Sequence, residues 1–263
     1  MTTNSTAIGT MELGVLSYEL LKAHDRNEIE KLIRVLSEDG LFFLNLSGPS
    51  AKDALADIPP LVRHQRQFFE QEPSTKSEYH NGLRYKGYYG TDFGVEKLHF
   101  GREEHLQGTL NIPSAFQPVA SKLASTSAFM DSVLREIGIL LTTSMNPPVP
   151  QALDHPEKPG LSNLTVAISK AKAGTILEPT HSDPGVLTMT FYDEPFLEVL
   201  DRKTRGWRVV EVKDNMPIIN VGQELEKNSD DRLYAPVHQA RHRENEIDLV
   251  MFDLFESPRT VPV

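Results

Sequence analysis

The N-terminal part of the chain is patterned for helices, with one buried strand among them. Asp25 and Glu28 have the spacing of a capping box. Apolar residues then recur every three or four positions, at Ile29, Leu32, Ile33 and Leu36. This pattern predicts an amphipathic helix, which Gly40 ends. The apolar run 41–46 that follows predicts a buried strand.

Two further helices are expected, at about residues 60–70 and 119–141, and a segment rich in glycine and tyrosine lies between them. This segment, residues 81–94, includes Tyr88 and Tyr89. Its composition predicts a loop that places aromatic side chains over a ligand. The alternative is that the tyrosines fill the edge of the hydrophobic core.

Beyond a proline-rich segment at residues 147–160, the pattern changes from helical to strand-like. Apolar residues alternate at Leu164, Val166 and Ile168, and short strands follow between glycine and proline turn signals. Such regularly spaced strands predict a β-sandwich or jelly roll. We therefore expect an α+β chain in one compact unit. Residues 1–160 form its mainly helical region with early strands, and residues 161–263 form its β core.

Composition restricts the classes of function. The 263 residues are 39% hydrophobic and 24% charged, as in a globular protein, and the formal net charge is −10. That charge argues against nucleic-acid and anionic-membrane partners. The absence of cysteine means that any metal must take imidazole and carboxylate ligands. With no signal-peptide pattern and no apolar run of membrane-spanning length, the expected location is the cytoplasm.

The stretch 180–185 carries the strongest candidate chemistry. His181 and Asp183 are two residues apart, so in an extended strand their side chains point to the same side. A second imidazole, His238, follows on another predicted strand and would complete a two-histidine, one-carboxylate face. Such a face leaves three adjacent metal positions free for other ligands. His242 shares the strand parity of His238 and is the rival third ligand.

The other histidines are expected on the surface or as satisfied core residues: His24, His64, His80, His99, His105 and His155.

Several ordered segments resemble one enzyme family, the isopenicillin N synthase-like group of Fe(II)/2-oxoglutarate dioxygenases. The segment at 180–188 matches the His-x-Asp strand of that family, and Gly87-Tyr-Tyr is similar to its Gly-Tyr segment. The other similar segments are 39–44, 68–76, 196–200, 206–210, 218–226 and 232–238. The resemblance covers most of the chain.

The resemblance implies a double-stranded β-helix core, with N-terminal helices packed around it and Fe(II) held by His181, Asp183 and His238. It also implies that O2 and 2-oxoglutarate are co-substrates and that a ferryl oxidant removes hydrogen from a small metabolite. Hydroxylation, desaturation and oxidative cyclisation are all compatible with this chemistry. Tyr89 and Arg84 are the candidate substrate-binding residues, by similarity to the Gly-Tyr segment.

One departure from the family concerns the co-substrate. The family usually follows its second histidine with an Arg-x-Ser pair that binds the far carboxylate of 2-oxoglutarate. Here no Arg or Lys occurs between Arg243 and Arg259, and Glu246 and Asp248 are expected to repel a dicarboxylate. The candidate replacement cations are Lys170 and Lys172, on the strand before His181.

Two other functions therefore remain open. The first is an iron oxidase of the isopenicillin N synthase type that does not use 2-oxoglutarate, in which Glu246 or Asp248 pairs with a substrate amine. The second is a non-oxidative metal-dependent isomerase or lyase, or a binding protein, on the same scaffold. The sequence leaves the oligomeric state open.

Overall fold

A computed structural model describes residues 8–80, 82, 86–90, 94–149 and 160–255. Its helices are α1 (Tyr18–Lys22), α2 (Arg26–Glu38), α3 (Lys52–Phe69), α4 (Pro73–Ser77), α5 (Arg102–Gln107), α6 (Ala120–Ser144) and α7 (Gln223–Asn228). Its strands are β1 (Val15–Ser17), β2 (Leu41–Asn45), β3 (Gly87–Gly90), β4 (Val95–Gly101), β5 (Asn163–Ser169), β6 (Ile176–His181), β7 (Leu187–Tyr192), β8 (Leu197–Leu200), β9 (Trp207–Val209), β10 (Ile218–Val221), β11 (His238–Arg241) and β12 (Ile247–Leu254).

The helix predicted after Asp25 is confirmed as α2. The Asp25 carboxylate accepts a hydrogen bond from the Glu28 amide at 2.9 Å, which satisfies one of the unpaired N–H groups of the first turn. The Glu28 carboxylate does not complete a capping box, because it accepts from the Ser17 amide and so ties the helix to β1. Gly40 ends the turn after α2 with a φ of 75°, a conformation that glycine adopts without strain.

Helix α3 begins at Lys52, well before the expected residue 60, and Pro59 and Pro60 lie inside it. Proline lacks the amide that would bond to the preceding turn, which is why the pattern suggested a later start. Burial compensates for the loss, since Leu61 and Phe68 are completely buried where α3 packs against α6. Helix α6 itself confirms the long helix expected at 119–141.

The strands form two sheets. One has the order β1-β2-β10-β7-β12-β5-β4-β3, and the other has the order β6-β11-β8-β9. The strands on either side of residue 160 share the larger sheet, because β2 pairs with β10 and β4 pairs with β5. The α+β class with a jelly-roll core is confirmed, while the division at residue 160 stays a prediction.

Strand β5 shows how the larger sheet divides the molecule into two sides. It is buried on both faces. Leu164, Val166 and Ile168 belong to the core cluster that includes the helices, whereas Thr165 and Ala167 line a cavity on the opposite side. The apolar alternation seen in the sequence therefore marks the helix-facing side, and the small residues between mark the cavity.

Part of the segment expected to be a loop is a strand. Residues 87–90 form β3, which pairs with β4. Tyr88 packs edge-on against Phe68 with ring centroids 6.0 Å apart, and its hydroxyl donates to Glu96 at 2.7 Å. Both readings of the tyrosines thus apply, because Tyr88 contacts the core and also lines the cavity. Within the described ranges, no helix is long and apolar enough to cross a membrane.

Candidate metal centre and its cavity

A cavity of about 610 Å³ lies between the two sheets, because strands of both contribute to its lining. This volume is within the range typical of small-molecule sites. The larger sheet contributes Lys97, Thr165, Met251 and other residues, and the smaller sheet contributes His181 and His238. We call the side formed by the larger sheet the cavity floor, and it carries several polar side chains. The candidate ligands lie on the opposite wall, which the smaller sheet forms.

The candidate ligands converge at one end of the smaller sheet. His181 ends β6, His238 begins β11, and the two residues are directly paired across these antiparallel strands. Asp183 follows two residues after His181, and its Oδ1 lies 3.4 Å from His181 Nε2 and 3.5 Å from His238 Nε2. One donor atom from each of the three residues lies within 4.8 Å of the other two.

These three residues fit a divalent ion. Ligands about 2.1 Å from one ion and at right angles to each other lie about 3 Å apart, so small side-chain rotations bring all three donors within reach. His181 Nδ1 lies 2.7 Å from the Pro179 carbonyl, and His238 Nδ1 lies 3.0 Å from the Pro236 carbonyl. In the tautomer that these contacts favour, each Nδ1–H group donates a hydrogen bond to the carbonyl. Each Nε2 then has a free lone pair for an ion.

Asp183 is oriented by a further residue. Asn220 Nδ2 donates to Asp183 Oδ2 at 2.8 Å, which leaves Oδ1 facing the two histidines. Burial raises the pKa of Asp183, but the hydrogen bonds from His181, His238 and Asn220 outweigh it and hold that pKa well below its usual range. Asp183 is therefore an anion that can balance part of the charge of a bound cation.

The contact between Asp183 and His181 has the opposite effect on the pKa of His181. Burial lowers the pKa of this imidazole, but the hydrogen bonds to Asp183 and to the Pro179 carbonyl raise it above its usual value. A proton on His181 and a metal ion compete for the same Nε2 lone pair. The site is therefore arranged to attract positive charge, whether as protons or as metal.

The rival third ligand lies elsewhere. His242 is buried, and its Nδ1 lies 3.1 Å from Ser169 Oγ, not beside Asp183. A register shift in the pairing of β11 with β6 disturbs the regular alternation that placed His242 on the side of His238. Arg241 and Arg243 do not line the cavity, and both pair with buried Glu198.

The other predicted site residues are more scattered. Tyr89 lines the cavity with 52% of its surface exposed, whereas Arg84 lies outside the described residues. Lys170 and Lys172 are exposed in the connection between β5 and β6, and neither lines the cavity. The structure therefore brings Tyr89 to the site and leaves the two lysines at the surface. Their role in binding 2-oxoglutarate stays a prediction, since neither lysine contacts the cavity.

The expectation that Glu246 and Asp248 repel a dicarboxylate is wrong, because neither residue lines the cavity. The Asp248 carboxylate accepts from Gln65 Nε2 at 2.7 Å and from Arg66 Nε at 2.5 Å, both on helix α3. Glu246 Oε2 lies 3.7 Å from Arg66 Nη1. On β12 the alternate residues Leu249, Met251 and Asp253 face the cavity.

Sequence reasoning missed the polar residues on the cavity floor. His99, expected on the surface or in the core, lies on β4 and lines the cavity, with its Nδ1 2.8 Å from Thr165 Oγ1. Burial lowers its pKa to about 4, so the ring is neutral at neutral pH. Burial, followed by the nearby charge of Asp183, raises the pKa of Asp253 to about 7. Polar residues inside apolar strands, such as Asn220 and Asp253, were the available signal.

Comparison with known proteins agrees with this geometry. No family model matches the chain. The chain is 23% identical over 248 residues to a 2-oxoglutarate-dependent dioxygenase of Gibberella zeae, covering 88% of this chain and 74% of that protein. It is 25% identical over 256 residues to the oxidoreductase vrtI of Penicillium aethiopicum, covering 90% of this chain and 62% of that protein.

A solved structure extends the likeness to the fold. The dioxygenase for auxin oxidation 1 of Arabidopsis thaliana, in its complex with 2-oxoglutarate, superposes with a TM-score of 0.75 at 16% identity, covering 95% of this chain and 94% of that one. The chain thus has the jelly-roll fold of the 2-oxoglutarate-dependent oxygenases. The resemblance to Fe(II)/2-oxoglutarate dioxygenases, stated above from sequence segments, is confirmed at the level of the fold and of the similar proteins.

Proposed function

We propose that the protein is a non-haem Fe(II)-dependent dioxygenase that uses 2-oxoglutarate and O2 to oxidise a small molecule. The observation that carries this proposal is the convergence of His181, Asp183 and His238 at the wall of a cavity of about 610 Å³. The two curated relatives, a dioxygenase and an oxidoreductase, support the same reaction class. His181, Asp183 and His238 offer the two imidazoles and one carboxylate that an Fe(II) oxygenase uses, which also supports the proposal.

When bound, Fe(II) together with O2 and 2-oxoglutarate supplies the oxidation of a substrate C–H bond, with release of succinate and CO2. The protein's part is to bind and orient. His181 and His238 present Nε2 because their Nδ1 protons are held by backbone carbonyls. Asp183 contributes one negative charge, which leaves the site net positive for an anionic co-substrate. His181, Asp183 and His238 would hold the ion by three positions and would leave its other positions for O2 and 2-oxoglutarate.

The cavity walls define the class of substrate. Leu177, Phe196 and Leu197 supply apolar surface, and Tyr89 contributes a partly exposed aromatic ring. Such a lining binds the apolar body of a small molecule and excludes water from the reacting carbon. Tyr89 is therefore the substrate-binding residue that we propose from the described residues. The expected cytoplasmic location stays a prediction.

A metal-binding and product assay tests the proposal. Purified protein is loaded with Fe(II) under argon and then given 2-oxoglutarate and O2, and succinate is measured. We expect succinate from the wild type and none from Asp183→Ala or His238→Ala, which lose the metal. His242→Asn is the matched control and should retain both metal binding and succinate formation. Failure of the wild type to bind Fe(II) would contradict the proposal.

One observation favours a second candidate, an iron oxidase that does not use 2-oxoglutarate. On β12 the cavity-facing residues Leu249, Met251 and Asp253 offer no cation for a distal carboxylate. Because Asp248 and Glu246 lie away from the cavity, they do not supply the pairing with a substrate amine that the sequence suggested. Stable Fe(II) binding without any measurable affinity for 2-oxoglutarate would support this candidate over the first.

A further inference from the structure

The cavity contains cations that the sequence did not single out. Lys86 and Lys97 line it, and they are the lysines that do so in the part of the chain that the structure describes. Lys86 Nζ pairs with Glu104 at 2.9 Å. Lys97 Nζ pairs with Glu178 Oε2 at 2.6 Å, and only 19% of the Lys97 side chain is exposed. Lys97 is therefore a largely enclosed positive charge on the cavity floor.

The sheet register places Lys97 on the cavity floor. Lys97 pairs with Ala167, Ala167 with Leu249, and Leu249 with Tyr192, so these residues form one row across four strands. All four line the cavity. Neighbouring strands lie about 4.8 Å apart, so Lys97 and Leu249 are about 10 Å apart across the sheet. The small side chain of Ala167 between them leaves room for a ligand over the floor.

The partner of Lys97 is a carboxylate of the cavity lining. Glu178 lies on β6, three residues before His181, and 42% of its side chain is exposed. Burial alone would raise the pKa of the Glu178 carboxyl, but the nearby Lys97 ammonium outweighs burial and brings that pKa below its usual value. Glu178 is therefore an anion. Lys97 thus already binds one carboxylate on the strand that ends at the metal ligands. Glu178 itself lines the cavity, so an anion that enters the cavity meets the Lys97–Glu178 pair directly.

We propose that Lys97 binds the distal carboxylate of 2-oxoglutarate, which displaces Glu178. This inference rests on the proposed function, because the 2-oxo end of the same molecule would bind at the metal. The exchange replaces one carboxylate by another at an enclosed ammonium, so the charge of Lys97 stays compensated. It also provides a cation where the cavity-facing residues of β12, Leu249, Met251 and Asp253, provide none.

Calorimetry on Mn(II)-loaded protein tests the site without turnover. The Kd of 2-oxoglutarate is compared with the Kd of 2-oxobutanoate, which has the same 2-oxo acid group but no distal carboxylate. In Lys97→Met, the affinity for 2-oxoglutarate should fall about 10- to 100-fold, as expected for a lost charge-assisted hydrogen bond, while that for 2-oxobutanoate stays the same. Lys97→Arg should restore most of the affinity.

Two further variants sharpen the test. Glu178→Gln removes the competing anion and should tighten binding of 2-oxoglutarate while leaving 2-oxobutanoate unchanged. Lys86→Met is the matched control, since Lys86 also lines the cavity, and it should bind both ligands as the wild type does. Mn(II) affinity and the thermal midpoint, measured for each variant, show that the fold and the metal site are intact.

Equal weakening of both ligands in Lys97→Met would overturn the inference, because the lysine would then serve only the shape of the cavity. Unchanged binding of 2-oxoglutarate in Lys97→Met would also overturn it, and would leave a carboxylate on the substrate as the remaining partner for Lys97. Both results leave the proposed function standing. A wild-type protein that binds Mn(II) but not 2-oxoglutarate would instead refute 2-oxoglutarate dependence itself.

Discussion

His181 and His238 are directly paired across two antiparallel strands, and each directs its Nδ1 to the carbonyl of a proline two residues earlier. Their ring centroids lie 4.4 Å apart. The same local contact, made twice, selects the same tautomer in both rings and turns both Nε2 atoms towards Asp183. The side chains of the candidate metal centre therefore share one orientation, which contacts to the backbone hold.

Metal binding should stabilise the fold, because the ligands converge only in the folded chain. At a metal concentration 100 times the Kd, the free energy of unfolding should rise by about 2.7 kcal/mol. Urea unfolding with and without Mn(II) measures this increment. Asp183→Ala should lose it, whereas His242→Asn should keep it. An equal increment in Asp183→Ala would mean that the ion binds elsewhere.

Asn220 should act as a positioning residue for Asp183. Removing its amide in Asn220→Ala leaves Asp183 Oδ2 without the 2.8 Å hydrogen bond, so the carboxylate can rotate away from the two histidines. We expect metal affinity to fall about 10- to 100-fold with little change in the thermal midpoint. Titration with Mn(II) measures the affinity. Asn245→Ala, at the exposed contact with Glu194, is the control and should not differ from the wild type.

His99 should make stability depend on pH. Burial lowers its pKa from 6.5 to about 4. Between these values the unfolded chain binds a proton that the folded chain does not, so the free energy of unfolding should fall as pH falls from about 6.5 to 4. Over this whole pH range, His99 should lower the free energy of unfolding by at most about 3 kcal/mol. His99→Gln should remove it, as measured by urea unfolding at pH 7 and pH 5.

The experiment is read as a difference between the wild type and His99→Gln. Asp253, whose raised pKa is about 7, has the opposite linkage, because in the folded chain it retains a proton that the unfolded chain releases. Its contribution is common to both proteins and cancels in the comparison. Parallel pH profiles for the two proteins would contradict the assignment of the buried neutral imidazole.

Asp248 should be needed for stability and not for the metal centre. It is almost fully buried and accepts hydrogen bonds from Gln65 and Arg66. Asp248→Ala leaves both donors without this partner and should lower the free energy of unfolding by about 1–3 kcal/mol. Glu246→Ala removes a half-exposed carboxylate and should cost less than about 0.5 kcal/mol. A loss of Mn(II) affinity in Asp248→Ala would contradict this division.

Local sequence rules were sufficient for several parts of the molecule. The spacing of His181 and Asp183 placed both side chains on one side of an extended segment, because that alternation depends only on the strand itself. Asp25 marked the start of α2 for the same kind of reason, since a cap requires only the first helical turn. The polar cavity floor, by contrast, had no comparable local signature.

The sequence by itself determined the β-strand pattern, the capped helix and the convergence of His181 and Asp183 as candidate ligands, because alternation and capping act over a few residues. Only the tertiary structure decided that Lys97 lies beside Ala167 on the cavity floor and that Asp248 faces helix α3. Those positions depend on which distant strand pairs with which, and in what register. A shift of one residue would exchange the cavity face for the helix face, and β12, with Asp248 on one face and Asp253 on the other, does not specify that choice alone.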